Sequence, residues 1–198
     1  MAHEEIKEGN TNGAIAQFRK AIALNPHLPG VHFELAELLH TSEDATVKKE
    51  AELEYRSASI ENPLDWKTEC RLGEIDAQKG DTSRSYEEYS KAVVLQPTDS
   101  DAKLGLAKTL IEMNQPEKAQ ALLEETVQLE PTNAVAHYRL ATLYRKKDQV
   151  EEAKHEVELY KKYKDIKEKL RAVYKDLQVQ PSEIRADENP EEKPHSEK

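Results

Sequence analysis

Two short stretches, His3-Glu4-Glu5 and His155-Glu156, set an imidazole beside carboxylates, the residue types of metal ligation and general base catalysis. Neither has the second histidine four residues on that a helix needs to place two imidazoles on one face around a metal ion. The sequence also lacks GxSxG, a phosphate-cradling P-loop and GxGxxG. The single Cys70 leaves no cysteine pair for a disulfide or a thiolate metal site, and it reads as a buried or groove-lining residue. The seven histidines are scattered. These residues point away from an enzyme, and neither cofactor nor metal is expected.

The elements that carry them repeat. Pro26, Pro63, Pro97 and Pro131 lie 37, 34 and 34 residues apart, and a period in that range marks a stacked repeat. Before each proline a small, a large and a small residue recur on one helical face: Ala14, Phe18, Ala21; Ala51, Tyr55, Ala58; Ser85, Tyr89, Ala92; Ala119, Leu123, Thr126. After each comes Leu35-Ala36, Leu72-Gly73, Leu106-Ala107 or Leu140-Ala141. Two helices approach closely only where a small side chain on one admits a large one from the other. Proline lacks an amide donor and restricts the residue before it, so each one ends a helix. Thr98-Asp99-Ser100 and Thr132-Asn133 offer oxygens to cap the helix that follows.

This pattern resembles the tetratricopeptide repeat, a helix-turn-helix of about 34 residues, over residues 1 to 160. The family's Trp position holds His32, Glu69, Lys103 and His137, and its Tyr position holds Asp76 in one copy. The resemblance implies an all-α, right-handed superhelical solenoid of antiparallel helix pairs. About four to five units are expected: a partial unit in 1–28, then 29–65, 66–99, 100–133 and 134–178, followed by an acidic tail in 179–198. The unit 29–65 has three extra residues within 40–46, read as a lengthened loop. His32 and His137, at equivalent places, are expected to be structural.

The resemblance also implies a non-enzymatic protein-interaction scaffold whose first helices line a concave groove. Carried over by position, the groove residues are Phe33, Glu37 and His40; Lys67, Cys70, Arg71 and Glu74; Asp101, Leu104, Lys108 and Ile111; Tyr138, Arg139, Thr142 and Arg145. Glutamates gather at its N-terminal end, while Lys108, Arg139, Arg145 and Lys146 gather at the other, against a net charge of -10. A protein or peptide partner with an acidic segment would complement them. The Lys/Asn/Asn/Lys/Arg series with which some family members grip chaperone C-terminal peptides is absent, since Phe33, Glu37, Glu74, Asp101 and Gly105 stand in its place.

Charged residues make up 34% of the chain and hydrophobic ones 37%, in keeping with helices under a solvated surface. The acidic balance disfavours a nucleic-acid partner, including the reading as a nucleic-acid-binding helical repeat. No apolar run reaches the roughly 18 residues of a transmembrane span. A helix is expected from Val150 to about Gln178, because Asp165 stands where the next proline would fall. Its Tyr163, Ile166, Leu170, Val173 and Leu177 follow a heptad seam. That seam either caps the last repeat in a monomer or forms a weak dimer, and an oligomerisation module acting through it is the alternative function. Basic residues crowd Lys161 to Lys175, whereas Pro181 to Lys198 is acidic and expected to be disordered. The first unit is incomplete and reads as cut from a longer protein. No secretory segment opens the sequence, which therefore reads as cytoplasmic, or as exported if a signal was removed from a longer parent.

Overall fold

A computed structural model describes residues 10–176. Among them the ordered elements are all helical: α1 Thr11–Leu24, α2 Val31–His40, α3 Ala45–Glu61, α4 Trp66–Gln78, α5 Thr82–Leu95, α6 Ser100–Glu112, α7 Pro116–Leu129, α8 Ala134–Lys146 and α9 Val150–Asp176. None is long and apolar enough to cross a membrane. The chain forms two compact units, residues 1–113 and 114–198. Among the described residues α1–α6 belong to the first and α7–α9 to the second.

Each boundary has a local cause. Asn25, Asn62, Gln96 and Glu130, the residues before the repeat prolines, leave helical geometry at φ between -147 and -132, while their amides still donate to Ala21, Ala58, Ala92 and Thr126. Side chains of Asn10, Asp44, Asp65, Asp81, Asp99 and Asn133 accept the first free amides of the next helices, each cap contributing about 1 kcal/mol. The turn within a repeat needs a left-handed residue, and Gly80, Asn114 and Asp148 supply it at equivalent positions with φ of 75, 57 and 57. These are the residue types that tolerate that geometry.

In the first unit the small-large pattern becomes contact. Phe18, Leu35, Ala36, Leu39, Ala51, Tyr55 and Leu72 form one buried cluster across α1–α4. Tyr89 of α5 is wedged between two inner helices: a Cβ on Gly73 of α4 would lie 2.9 Å from its ring, and one on Gly105 of α6 would overlap it. The expected loop insertion is corrected here. The connection Thr41–Asp44 is short, and the three extra residues lengthen α3 to 17 residues, against 14 in α5 and α7. Asp44 caps the added turn, taking the Thr46 and Val47 amides at 2.7 and 3.4 Å, and Val47 packs on the core. A capped, partly buried turn is better satisfied than a loop of the same length.

In the second unit α9 covers α8 through Ala153, which is fully enclosed, and through Tyr160 against Tyr138, their ring centroids 5.3 Å apart. Tyr163 then stacks on His137 at 5.5 Å. Beyond it Ile166, Leu170 and Val173 stay about half exposed, at 50, 47 and 51%. The partial first helix, Leu177 at the end of the seam and the acidic tail lie outside the described residues.

Two outcomes test this packing. Gly105→Ala should destabilise the protein by about 1–3 kcal/mol through overpacking against Tyr89, although helix propensity alone would stabilise it by about 1 kcal/mol; the sign of the shift in urea midpoint decides. Asp165→Pro, in the middle of α9, should cost about 3 kcal/mol locally and lower the helical circular dichroism, whereas Val150→Pro at the first position of α9, where α7 carries Pro116, should leave the α9 signal intact.

Candidate partner-binding surface

The carried-over groove positions of the first unit are neither core nor free surface. On α2, α4 and α6 the residues Phe33, Glu37, His40, Cys70, Arg71, Glu74, Asp101, Leu104, Lys108 and Ile111 are all half-buried, while Lys67 is exposed. Their neighbours Leu35, Leu72 and Leu106 point into the helix pairs and are buried. A charged array joins α2 to α4: Arg71 donates through Nε to Glu37 at 2.7 Å, through Nη2 to the same carboxylate at 3.1 Å, and through Nη1 to Glu74 at 3.2 Å. The Tyr55 hydroxyl completes Glu37 at 2.5 Å. Burial opposes the Glu37 charge, but the hydrogen bonds from Arg71 and Tyr55 outweigh it and hold the carboxyl below its usual range. The glutamates that gather at this end are thus partly neutralised within the protein.

Cys70 lies in the same row. Burial, reinforced by Asp99, Asp101 and Glu74, pushes its thiol up to about 12, so thiolate chemistry at neutral pH is suppressed.

The second unit places Tyr138, Arg139, Thr142 and Arg145 on α8. Tyr138 and Arg139 are half-buried, whereas Thr142 and Arg145 are exposed. The Thr142 hydroxyl donates back to the Tyr138 carbonyl at 3.0 Å. Arg145 is set apart from the other three because it borders a cleft with Val150, Val157 and Lys161 of α9. These cleft residues of α9 were absent from the sequence-derived set. The signal for them was present in the missing proline near residue 165, so that among the described residues no inner helix follows α9.

Family models described as tetratricopeptide repeat match residues 76–127 and 118–165, and another described as TPR repeat matches residues 2–42. Among solved structures, MamA is 19% identical, with 87% of this chain and 97% of that chain covered at a TM-score of 0.70. The pilF protein of Pseudomonas aeruginosa is 21% identical over 82% of this chain and 72% of its own, at 0.69. YrrB, described as a TPR protein with an unusual peptide-binding site, is 17% identical over 82% of each chain, also at 0.69. At these identities the likeness shows the fold, a solenoid of antiparallel helix pairs. No curated protein sequence matches the chain.

The four residues at the family's Trp position, His32, Glu69, Lys103 and His137, are buried. His32 and His137 share one arrangement. Nε2 faces the carbonyl of Pro26 or Pro131 at 2.9 Å, and Nδ1 faces the carboxylate of Glu54 at 2.5 Å or Glu156 at 2.6 Å. Both partners accept, so only the imidazolium, a donor at both nitrogens, satisfies them. Burial lowers each imidazole pKa, but the hydrogen bonds to carboxylate and carbonyl outweigh it and raise the net value above the ordinary one. A raised histidine pKa contributes stability that is full below the unfolded value of about 6.5 and is lost as pH rises through the folded value. Each clamp that loses one hydrogen bond costs about 0.5–1.5 kcal/mol. The melting temperature should therefore fall by about 2–12 °C from about pH 6 to about pH 9, and a His32→Gln/His137→Gln double variant should flatten that profile.

Proposed function

Because the chain belongs to the tetratricopeptide repeat family, whose members are typically non-catalytic protein-interaction scaffolds, we propose that it binds a peptide segment of another protein along the inner faces of α2, α4 and α6 in the first unit, and that α8 of the second unit offers a surface of its own for such a segment. The observation that carries this reading is the half-buried set of the first unit, in which Phe33, Leu104 and Ile111 are interspersed with Glu37, Arg71, Glu74, Asp101 and Lys108. Apolar side chains at partial burial still gain about 25 cal/mol per Å² when covered. The intervening charges fix register and orientation. The Arg71 array is already held by Glu37 and Glu74, so meeting a ligand there requires little further ordering of side chains.

The charge differs between the inner positions of the two units. Glu37, Glu74 and Asp101 offset Lys67, Arg71 and Lys108 on α2, α4 and α6, whereas α8 presents Arg139 and Arg145 with no carboxylate among its four positions. An acidic segment would therefore complement α8. YrrB supplies a precedent for peptide binding by a structure of similar fold.

The expected outcome is concrete. A partner isolated with the wild-type chain should bind at least about tenfold more weakly to a Lys108→Glu/Arg139→Glu variant, a change of about 1.4 kcal/mol, and retain its affinity for Lys118→Glu, which lies exposed on the outer helix α7. Affinity should also decline with salt as exposed charges are screened over about 8–10 Å. Equal binding to all three proteins in a titration by calorimetry would reject the groove reading.

A further inference from the structure

Tyr89 and Val157 are equivalent residues, each 26 positions after the proline that precedes its helix pair, Pro63 and Pro131. In the first unit that position is roofed. Tyr89 is 8% exposed because α6 lies across it, with Gly105 against the ring. In the second unit no described helix takes the place of α6, because α9 runs on unbroken past Asp165 to Asp176. What remains is a cleft of about 330 Å³ with Val150, Ala153 and Val157 as its floor. Val150 is 56% exposed there. Arg145, Lys154 and Lys161 stand at the rim with one carboxylate, Glu158. Lys154 is bridged to Glu151 at 2.8 Å, and Arg145 and Lys161 are exposed.

We propose that this end face of the second unit docks an acidic amphipathic helix from a partner protein, seated on α8 and α9 as α6 is seated on α4 and α5. The stacking surface is of the kind that the same chain already covers with a helix, so its shape asks for a helix. The rim decides the charge of that helix. Arg145 and Lys161 border an apolar floor in a chain of net charge -10, and acidic flanks would complete them, whereas basic flanks would be repelled. The cleft is open and lies at the lower end of the roughly 300–1,000 Å³ of small-molecule pockets, which favours a helix face over a compact ligand. This surface shares Arg145 with the α8 positions above, but its floor and Lys161 lie outside them, so Lys161→Glu and the groove variant let either reading fail alone.

The test uses the full chain and two stapled, fluorescein-labelled peptides built on the sequence of α6. One carries Glu at the Lys103 and Lys108 positions, and the other carries Lys at the Asp101 and Glu112 positions. Fluorescence anisotropy should show the acidic probe binding at least tenfold more tightly than the basic one. Lys161→Glu should weaken the acidic probe at least fivefold, and Val157→Trp, which fills the floor, at least tenfold. If Val157→Trp loses helicity, Lys161→Glu decides alone. The groove variant Lys108→Glu/Arg139→Glu should leave the probe's affinity within twofold. Equal affinity for both probes, no acidic-probe binding at millimolar chain, or insensitivity to Lys161→Glu would overturn the proposal. So would a tenfold gain when Glu188, Glu191 and Glu192 are changed to Gln, which would assign the face to the chain's own tail. A concentration-dependent dimer in sedimentation that Val157→Trp abolishes would assign it to a second copy and overturn the proposal equally.

Discussion

The approach of neighbouring helices to within the thickness of one ring governs the rest of this structure. Tyr89 occupies the space that a Cβ on either Gly73 or Gly105 would need, so α4, α5 and α6 are set by the same side chain. Helix axes that meet through small residues lie at the short end of the usual 8–10 Å range. At that distance the face of each inner helix turned from its partners keeps its residues half-buried. The partial exposure of Glu37, Glu74, Asp101 and Lys108 is thus a consequence of the packing beneath them.

Polar contacts between the helices keep the same register in both units. Asp76 and Tyr144 share the family's Tyr position, and each meets a residue 20 positions earlier: Arg56 Nη2 donates to Asp76 at 3.0 and 3.2 Å, and the Tyr144 hydroxyl donates to Glu124 at 3.0 Å. A second pair recurs 27 positions apart, Glu52 with Lys79 and Gln120 with Lys147. The chemistry changes from ion pairs to hydrogen bonds with a single charged partner while the geometry is held. Asp76 is 1% exposed, and removing its arginine would leave a buried charge uncompensated, an effect of about 3–5 kcal/mol. The departure from the family pattern at Asp76 is therefore compensated across the helix pair, at Arg56.

Much of this was legible in residue types. Small-large spacing located the packing positions, prolines marked the helix ends, and Asp99 and Asn133 were visible as caps. The three extra residues of the second repeat were misread because length alone does not say whether a loop or a helix absorbs them; Asp44 followed by Thr46 and Val47 was the signal for a capped turn. Repeat equivalence paired His32 with His137 but did not identify their carboxylates, which lie 22 and 19 positions on. The difference of three is the same insertion, and correcting for it superposes Glu54 on Glu156. In the candidate groove Glu37 aligns with Glu74 across the 37-residue first period, and its partner Arg71 stands about one helical turn before that position. An opposite charge one turn before the equivalent residue on the next inner helix is a readable sign of such a bridge, whereas the partial burial of the inner positions depends on how closely the helices approach and could not be read from any single residue.

The far end of the chain shows how one residue changes what a repeat can do. A proline near position 165 would end α9 as Pro97 ends α5, and the next chain segment would fold back over Val157 as α6 does over Tyr89. With Asp165 in that place the backbone amide is available and α9 continues to 27 residues. Two apolar surfaces then remain at opposite sides of one helix, the floor around Val150 and Val157 and the stripe of Ile166, Leu170 and Val173. In the stripe the flanking heptad positions hold Lys162, Lys167 and Lys169, so a parallel copy would set lysine against lysine. Lys162, Lys167 and Lys169 weaken self-association along the stripe, Arg145 and Lys161 favour an acidic helix at the cleft, and both surfaces follow from a helix that did not stop.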